Sequence, residues 1–125
     1  MTKFFRCEHC GNIITKIIDG GVKVVCCGEE MIELEAHTAD SSVEKHVPVI
    51  QIDGAKVNVT VGSTLHPMID KHFIQWIYLE TTHGGQFYYL KAGEKPMASF
   101  CLAEGEKVIA AYEYCNVHGL WVANV

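Results

Sequence analysis

The chain has 125 residues, the length of one ordinary domain or of a small domain joined to a very small one. Hydrophobic residues make up 49% of it, enough for a packed core, and its net charge of −5 comes from interspersed acids and bases. That balance lacks the basic stripe a nucleic-acid partner requires, and no apolar run reaches the ~20 residues that cross a bilayer.

The N-terminus, Met1-Thr2-Lys3-Phe4-Phe5-Arg6-Cys7, carries no apolar leader, so the protein is expected in the cytoplasm. In that compartment its six cysteines are expected as thiols and metal ligands rather than disulfides. Residues 1–36 form the first expected domain. Cys7-Glu8-His9-Cys10-Gly11 opens it, strands are expected over 12–18 and 22–25, and Asp19-Gly20-Gly21 between them is a hairpin signal. The second strand runs into Cys26-Cys27-Gly28. So short a segment buries too little apolar surface to fold alone, and Cys7, Cys10, Cys26 and Cys27 offer the staple it needs. The residue types leave zinc, iron or two disulfides open as that staple. Adjacent side chains of an extended chain point to opposite faces, so Cys26 and Cys27 reach one metal only where the backbone bends.

The polar stretch 35–43 is expected as a linker, with the second domain spanning 37–125. Strands are expected over 47–52, 56–61, 73–80, 86–90, 98–102 and 107–114, separated by glycine-rich turns such as Asp53-Gly54 and His83-Gly84-Gly85. Within them, Lys56-Val57-Asn58-Val59-Thr60-Val61 alternates with the period of two that marks a half-buried strand. Roughly six or seven short strands without a helical period predict an all-β protein whose second domain is an antiparallel sandwich. Cys101, inside one of these strands, is expected to be a buried structural thiol.

His46, His66, His72 and His118 fall at expected strand ends or in loops, where a rigid sandwich presents functional groups. Pro48 and Pro67 stiffen the backbone beside two of them, and Cys115 lies three residues before His118. His9, His37 and His83 lack such surroundings and are expected to be exposed bystanders. Four imidazoles and one thiolate suit iron or copper better than zinc, which prefers four ligands. With the imidazoles in a plane and the thiolate beneath, a sixth position stays open, and the thiolate pushes electron density toward it. Ferrous iron with one thiolate leaves a local charge of about +1, which draws an anion. Lys45 either adds to that attraction or is one more solvated lysine.

These motifs resemble the desulfoferrodoxin family, and the resemblance covers essentially the whole chain. Cys7-x2-Cys10 with Cys26-Cys27 resembles desulforedoxin. Glu44-Lys45-His46-Val47-Pro48, the segment from His66-Pro67 to His72, and Cys115-Asn116-Val117-His118-Gly119 resemble the catalytic domain of a superoxide reductase. The resemblance implies an immunoglobulin-like sandwich and two iron ions. His46, His66, His72, Cys115 and His118 would hold the catalytic one, and Cys7, Cys10, Cys26 and Cys27 a distorted rubredoxin-like one. It further implies reduction of superoxide by one electron to hydrogen peroxide, without release of oxygen. Lys45 would attract superoxide and help order a proton-donating water, and Glu44 would reach the open position of the oxidised iron. A rubredoxin-like electron donor and a homodimer are implied as well. The rival readings are a non-catalytic iron electron carrier, which needs no open position, and a colourless zinc-stapled binding module.

Overall fold

The computed structural model describes residues 1–39, 45–62 and 66–125. Its contacts divide the chain into two units, Met1–Glu35 and Ala36–Val125. All of its regular structure is strand. Among the described residues no helix is long and apolar enough to cross a membrane.

The first unit holds β1 (Phe4–Arg6), β2 (Ile13–Thr15), β3 (Val25–Cys26), β4 (Glu29–Glu30) and β5 (Ile32–Glu33). β1 lies between β2 and β5, while β3 and β4 form a separate antiparallel ribbon. The hairpin expected across Asp19-Gly20-Gly21 does not form, because β2 pairs with β1 and β3 with β4. The hydrogen bonds of that turn go to side chains instead of a ladder. Lys16 Nζ donates to the Val22 carbonyl at 2.7 Å and to Asp19 Oδ1 at 3.2 Å, and the same Asp19 oxygen accepts the Gly21 N–H at 2.8 Å. Ile17 and Ile18 stay outside, with 96% and 84% of their surface exposed, so this loop adds nothing to a core. Phe4, Cys7 and Met31 are the buried apolar residues of the unit.

The bend required at the adjacent cysteines is present. Cys26 pairs with Glu29, so Cys27-Gly28 is a two-residue hairpin loop, with φ of 53° at Cys27 and 79° at Gly28. Two successive positive φ angles are the signature of the turn that matches strand twist, a place usually held by Asn-Gly. A cysteine there carries backbone strain of about 1–3 kcal/mol.

The second unit begins with β6 (Ala36–His37), followed by β7 (Pro48–Asp53), β8 (Lys56–Val61), β9 (Ile74–Thr81), β10 (Gly84–Tyr89), β11 (Met97–Cys101), β12 (Val108–Cys115) and β13 (Gly119–Asn124). One sheet runs β10-β9-β12-β13-β6 and the other β11-β8-β7. All pairs are antiparallel except β13 with β6. β6 lies inside the stretch expected as a linker, and β13 is a strand the sequence reading did not anticipate. Val57, Val59 and Val61 of β8 with Ala98 and Phe100 of β11 meet Ile77 and Leu79 of β9 and Ala111 of β12 in one core.

Cys101 corrects an expectation. It is exposed, because the alternation of β11 turns Ala98 and Phe100 inward and Met97, Ser99 and Cys101 outward. Its carbonyl accepts the Gln86 Nε2–H at 2.8 Å, which ties edge strand β11 to edge strand β10 of the other sheet.

Candidate metal centres

Two groups of side chains bring their ligand atoms to within 4.8 Å of one another: Cys7, Cys10, Cys26 and Cys27, and His46, His66, His72, Cys115 and His118. The sulfur group comes from two tight turns. The first closes as Gly11 N–H donates to the Cys7 carbonyl at 2.9 Å, the second is the Cys27-Gly28 loop. Cys10 Sγ lies 3.6 Å from Cys26 Sγ. A tetrahedron of ~2.3 Å metal–sulfur bonds has edges of about 3.8 Å, so the group fits one tetrahedral ion.

The four thiols, lying within 4.8 Å of one another, shift each other's titration. The backbone N–H of Cys10, aided by that of His9, holds the Cys7 thiol down to about 6. The neighbouring Cys10, Cys7 and Cys26 push Cys27 up to about 12, and Cys7 and Cys10 push Cys26 up as well. A cation among the four sulfurs would favour the thiolate form of each.

The histidine group is assembled from distant parts of the chain. His46 precedes β7, and His72 closes a four-residue turn in which Ile69 and His72 exchange backbone hydrogen bonds of 3.0 Å each way. His66 Nδ1 lies 2.8 Å from the Pro67 carbonyl, a bond that needs the proton on Nδ1 and so leaves Nε2 as its ligand atom. Cys115 ends β12 at an irregularity, where the register with β9 steps from Tyr114↔Trp76 to Cys115↔Ile74. Such a bulge re-aims a side chain, here one that is fully buried. A three-residue loop of Asn116, Val117 and His118 then returns the chain at Gly119, whose φ of 84° suits glycine.

The four imidazoles close a ring. Neighbouring centroids lie 4.7 Å apart for His46–His66 and for His66–His72, 5.1 Å for His72–His118 and 4.8 Å for His46–His118, each pair edge to face. His46 Nε2 lies 3.1 Å from His118 Nδ1, and Cys115 Sγ lies 4.0 Å from that same nitrogen. Two nitrogens bound at right angles with ~2.1 Å bonds stand about 3 Å apart, so the histidine pair fits one ion. His46, His66 and Cys115 are buried, His72 is half-buried and His118 is exposed.

Asn116 was only a motif letter in the sequence, yet its side chain joins two ligand segments. It accepts the Phe73 N–H at 2.9 Å and donates to the Lys71 carbonyl at 3.0 Å, gripping both flanks of His72. Lys45 is half-buried directly before His46, while Glu44 lies outside the described residues. The bystander histidines are all exposed: His9 lies 3.1 Å from Glu29, His83 contacts Thr82, and His37 packs against Trp121.

Comparison with known proteins agrees with this geometry over both units. The desulfoferrodoxin family matches residues 38–124, and the desulfoferrodoxin N-terminal domain matches residues 1–34. A desulfoferrodoxin of Nitratidesulfovibrio vulgaris is 46% identical over 121 residues, covering 97% of this chain and 94% of the relative. A superoxide reductase of Pyrococcus horikoshii is 36% identical over 108 residues, 73% of this chain and 94% of its own. Among solved structures, the superoxide reductase of Treponema pallidum matches with a TM-score of 0.87 and 33% identity, covering 99% of this chain and 98% of that one. With both units matched and both ligand sets assembled, the chain belongs to the desulfoferrodoxin family.

Proposed function

We propose that the chain is a superoxide reductase, and the observation that carries this reading is the closed ring of four imidazoles with a buried thiolate beside it. The donors present fit iron. His46, His66, His72, His118 and Cys115 would hold the catalytic ion, and Cys7, Cys10, Cys26 and Cys27 a second, rubredoxin-like one. Ferrous iron held at the first centre would supply the one electron that, with two protons, turns superoxide into hydrogen peroxide.

The protein's own residues do the rest. The Cys115 thiolate offsets one of the two positive charges, leaving a site of about +1 that attracts an anion yet releases a neutral product. His118 is the exposed donor of the set while His46, His66 and Cys115 are buried, so superoxide would reach the site from the His118 side. Lys45 would steer the anion inward and help order a water that delivers a proton, and Glu44, outside the described residues, would supply the carboxylate for the oxidised iron that the family resemblance implies. The domains are assigned as 1–36 for the four-cysteine centre and 37–125 for the catalytic sandwich. The cytoplasm, a homodimer and a rubredoxin-like electron donor complete the reading.

The test mixes the anaerobically reduced, iron-loaded protein with superoxide while peroxide and oxygen are both measured. A reductase yields one peroxide per superoxide and no oxygen. Oxygen and peroxide in equal amounts would show a dismutase, and an unchanged superoxide decay would show an electron carrier.

A further inference from the structure

We infer that Trp121 is a positioning residue of the histidine–cysteine centre, holding a donor from each sheet in register through one side chain. The inference deepens the metal-site reading and rests on it. His46 enters β7 of the three-stranded sheet, whereas Cys115 and His118 sit at the β12–β13 turn of the five-stranded sheet. The two strands these ligands flank lie in different sheets, yet His46 Nε2 and His118 Nδ1 stand 3.1 Å apart. Side-chain packing must set that distance.

Trp121 lies in β13, three residues beyond His118, and makes two different contacts with the ligands. Its indole stacks on the His46 ring with centroids 4.6 Å apart and planes 14° from parallel. Its Nε1–H donates to the His118 carbonyl at 3.1 Å. An imidazole binds a metal along a lone pair lying in the ring plane, so rotation of the ring swings that lone pair off the ion. Stacking resists just that rotation. The indole N–H meanwhile anchors the loop that carries both Cys115 and His118, and being 8% exposed, Trp121 needs such a partner. His37, its cross-strand neighbour in β6, packs against the indole at 4.9 Å and limits its own movement.

Two substitutions in the full-length, iron-loaded protein separate the contacts. Trp121→Phe keeps an aromatic face for His46 and removes the donor to His118, and Trp121→Leu removes both. Ferrous affinity at each centre is read by competition with a chelator, alongside the thiolate-to-iron charge-transfer band of the oxidised Cys115 centre. The four-cysteine centre is the internal control. Trp121→Leu is expected to weaken the histidine centre about 10- to 100-fold, the range of outer-sphere partners of metal ligands, with Trp121→Phe in between and its band shifted. Both should leave the four-cysteine centre unchanged. Wild-type affinity and an unshifted band in either folded variant overturn the inference. So does a loss that affects both centres alike, which marks general destabilisation. A wild-type protein that binds no iron at its histidines overturns the site reading itself and this inference with it.

Discussion

The two units solve opposite problems. Met1–Glu35 has strands of two or three residues and few buried side chains, so its four thiols are what hold it in shape. Ala36–Val125 has strands of up to eight residues around a continuous apolar core, and its ligands hang at the ends of a scaffold that stands without them. In the first unit a bound ion would make the fold, whereas in the second the fold brings the ligands together. A preassembled shell around a reactive iron limits reorganisation during turnover, while a fold made by its metal suits a staple.

The largest test of this contrast is metal removal. Chelation under reducing conditions is expected to unfold residues 1–35 and leave the sandwich folded, as read by amide NMR dispersion and circular dichroism. Structural zinc in zinc-finger peptides contributes roughly 10–16 kcal/mol to folding, and so small a unit gains little from burial, so metal loss here is expected to dominate. Retained dispersion in the first unit would break the comparison. Second in size, Leu79→Ala opens a cavity in the sandwich core, where Leu79 is fully buried. A loss of about 2–5 kcal/mol is expected in chemical denaturation of the sandwich, with the colour of the four-cysteine centre unchanged.

Asn116→Ala asks whether the preassembled site depends on its side-chain ties. It removes the two hydrogen bonds that grip the flanks of His72, a stability loss of about 1–2 kcal/mol. A weaker histidine centre with an intact sandwich is the expected outcome in chelator competition. The smallest effect is electrostatic. Glu106 accepts hydrogen bonds from the Thr81 hydroxyl and the Ala103 N–H, which lower its carboxyl pKa below 4.5. A depressed carboxylate contributes stability above its unfolded pKa and loses it as pH falls through the folded value. Stability should therefore decline below about pH 4.5, and Glu106→Gln should flatten that part of the curve in acid titrations of the sandwich.

Ligand chemistry was legible in the sequence because cysteine and histidine at short spacing have few other uses, and the alternation of Lys56 to Val61 announced its strand. What escaped notice depends on pairing. Asp19-Gly20-Gly21 has the composition of a hairpin turn, but Lys16 and Asp19 satisfy it locally and leave no ladder to extend. Cys101 was assigned by residue type, although the period of two in Met97-Ala98-Ser99-Phe100-Cys101 already points it outward with Ser99. β6 consists of two residues paired with β13, a distant partner that no local pattern reveals. Trp121 carried no motif, since its part in the site rests on contacts with His46 and His118 across two sheets.

The placement of the histidine group also has a mechanical consequence. His46 leads into one sheet and Cys115 with His118 sits at a turn of the other, so an ion held among them would tie the two sheets together. The lateral edge is already latched by the bond from Gln86 to Cys101. Loss of the ion is therefore expected to loosen the scaffold at the end that carries the site, an effect that amide exchange of the flanking strands would read.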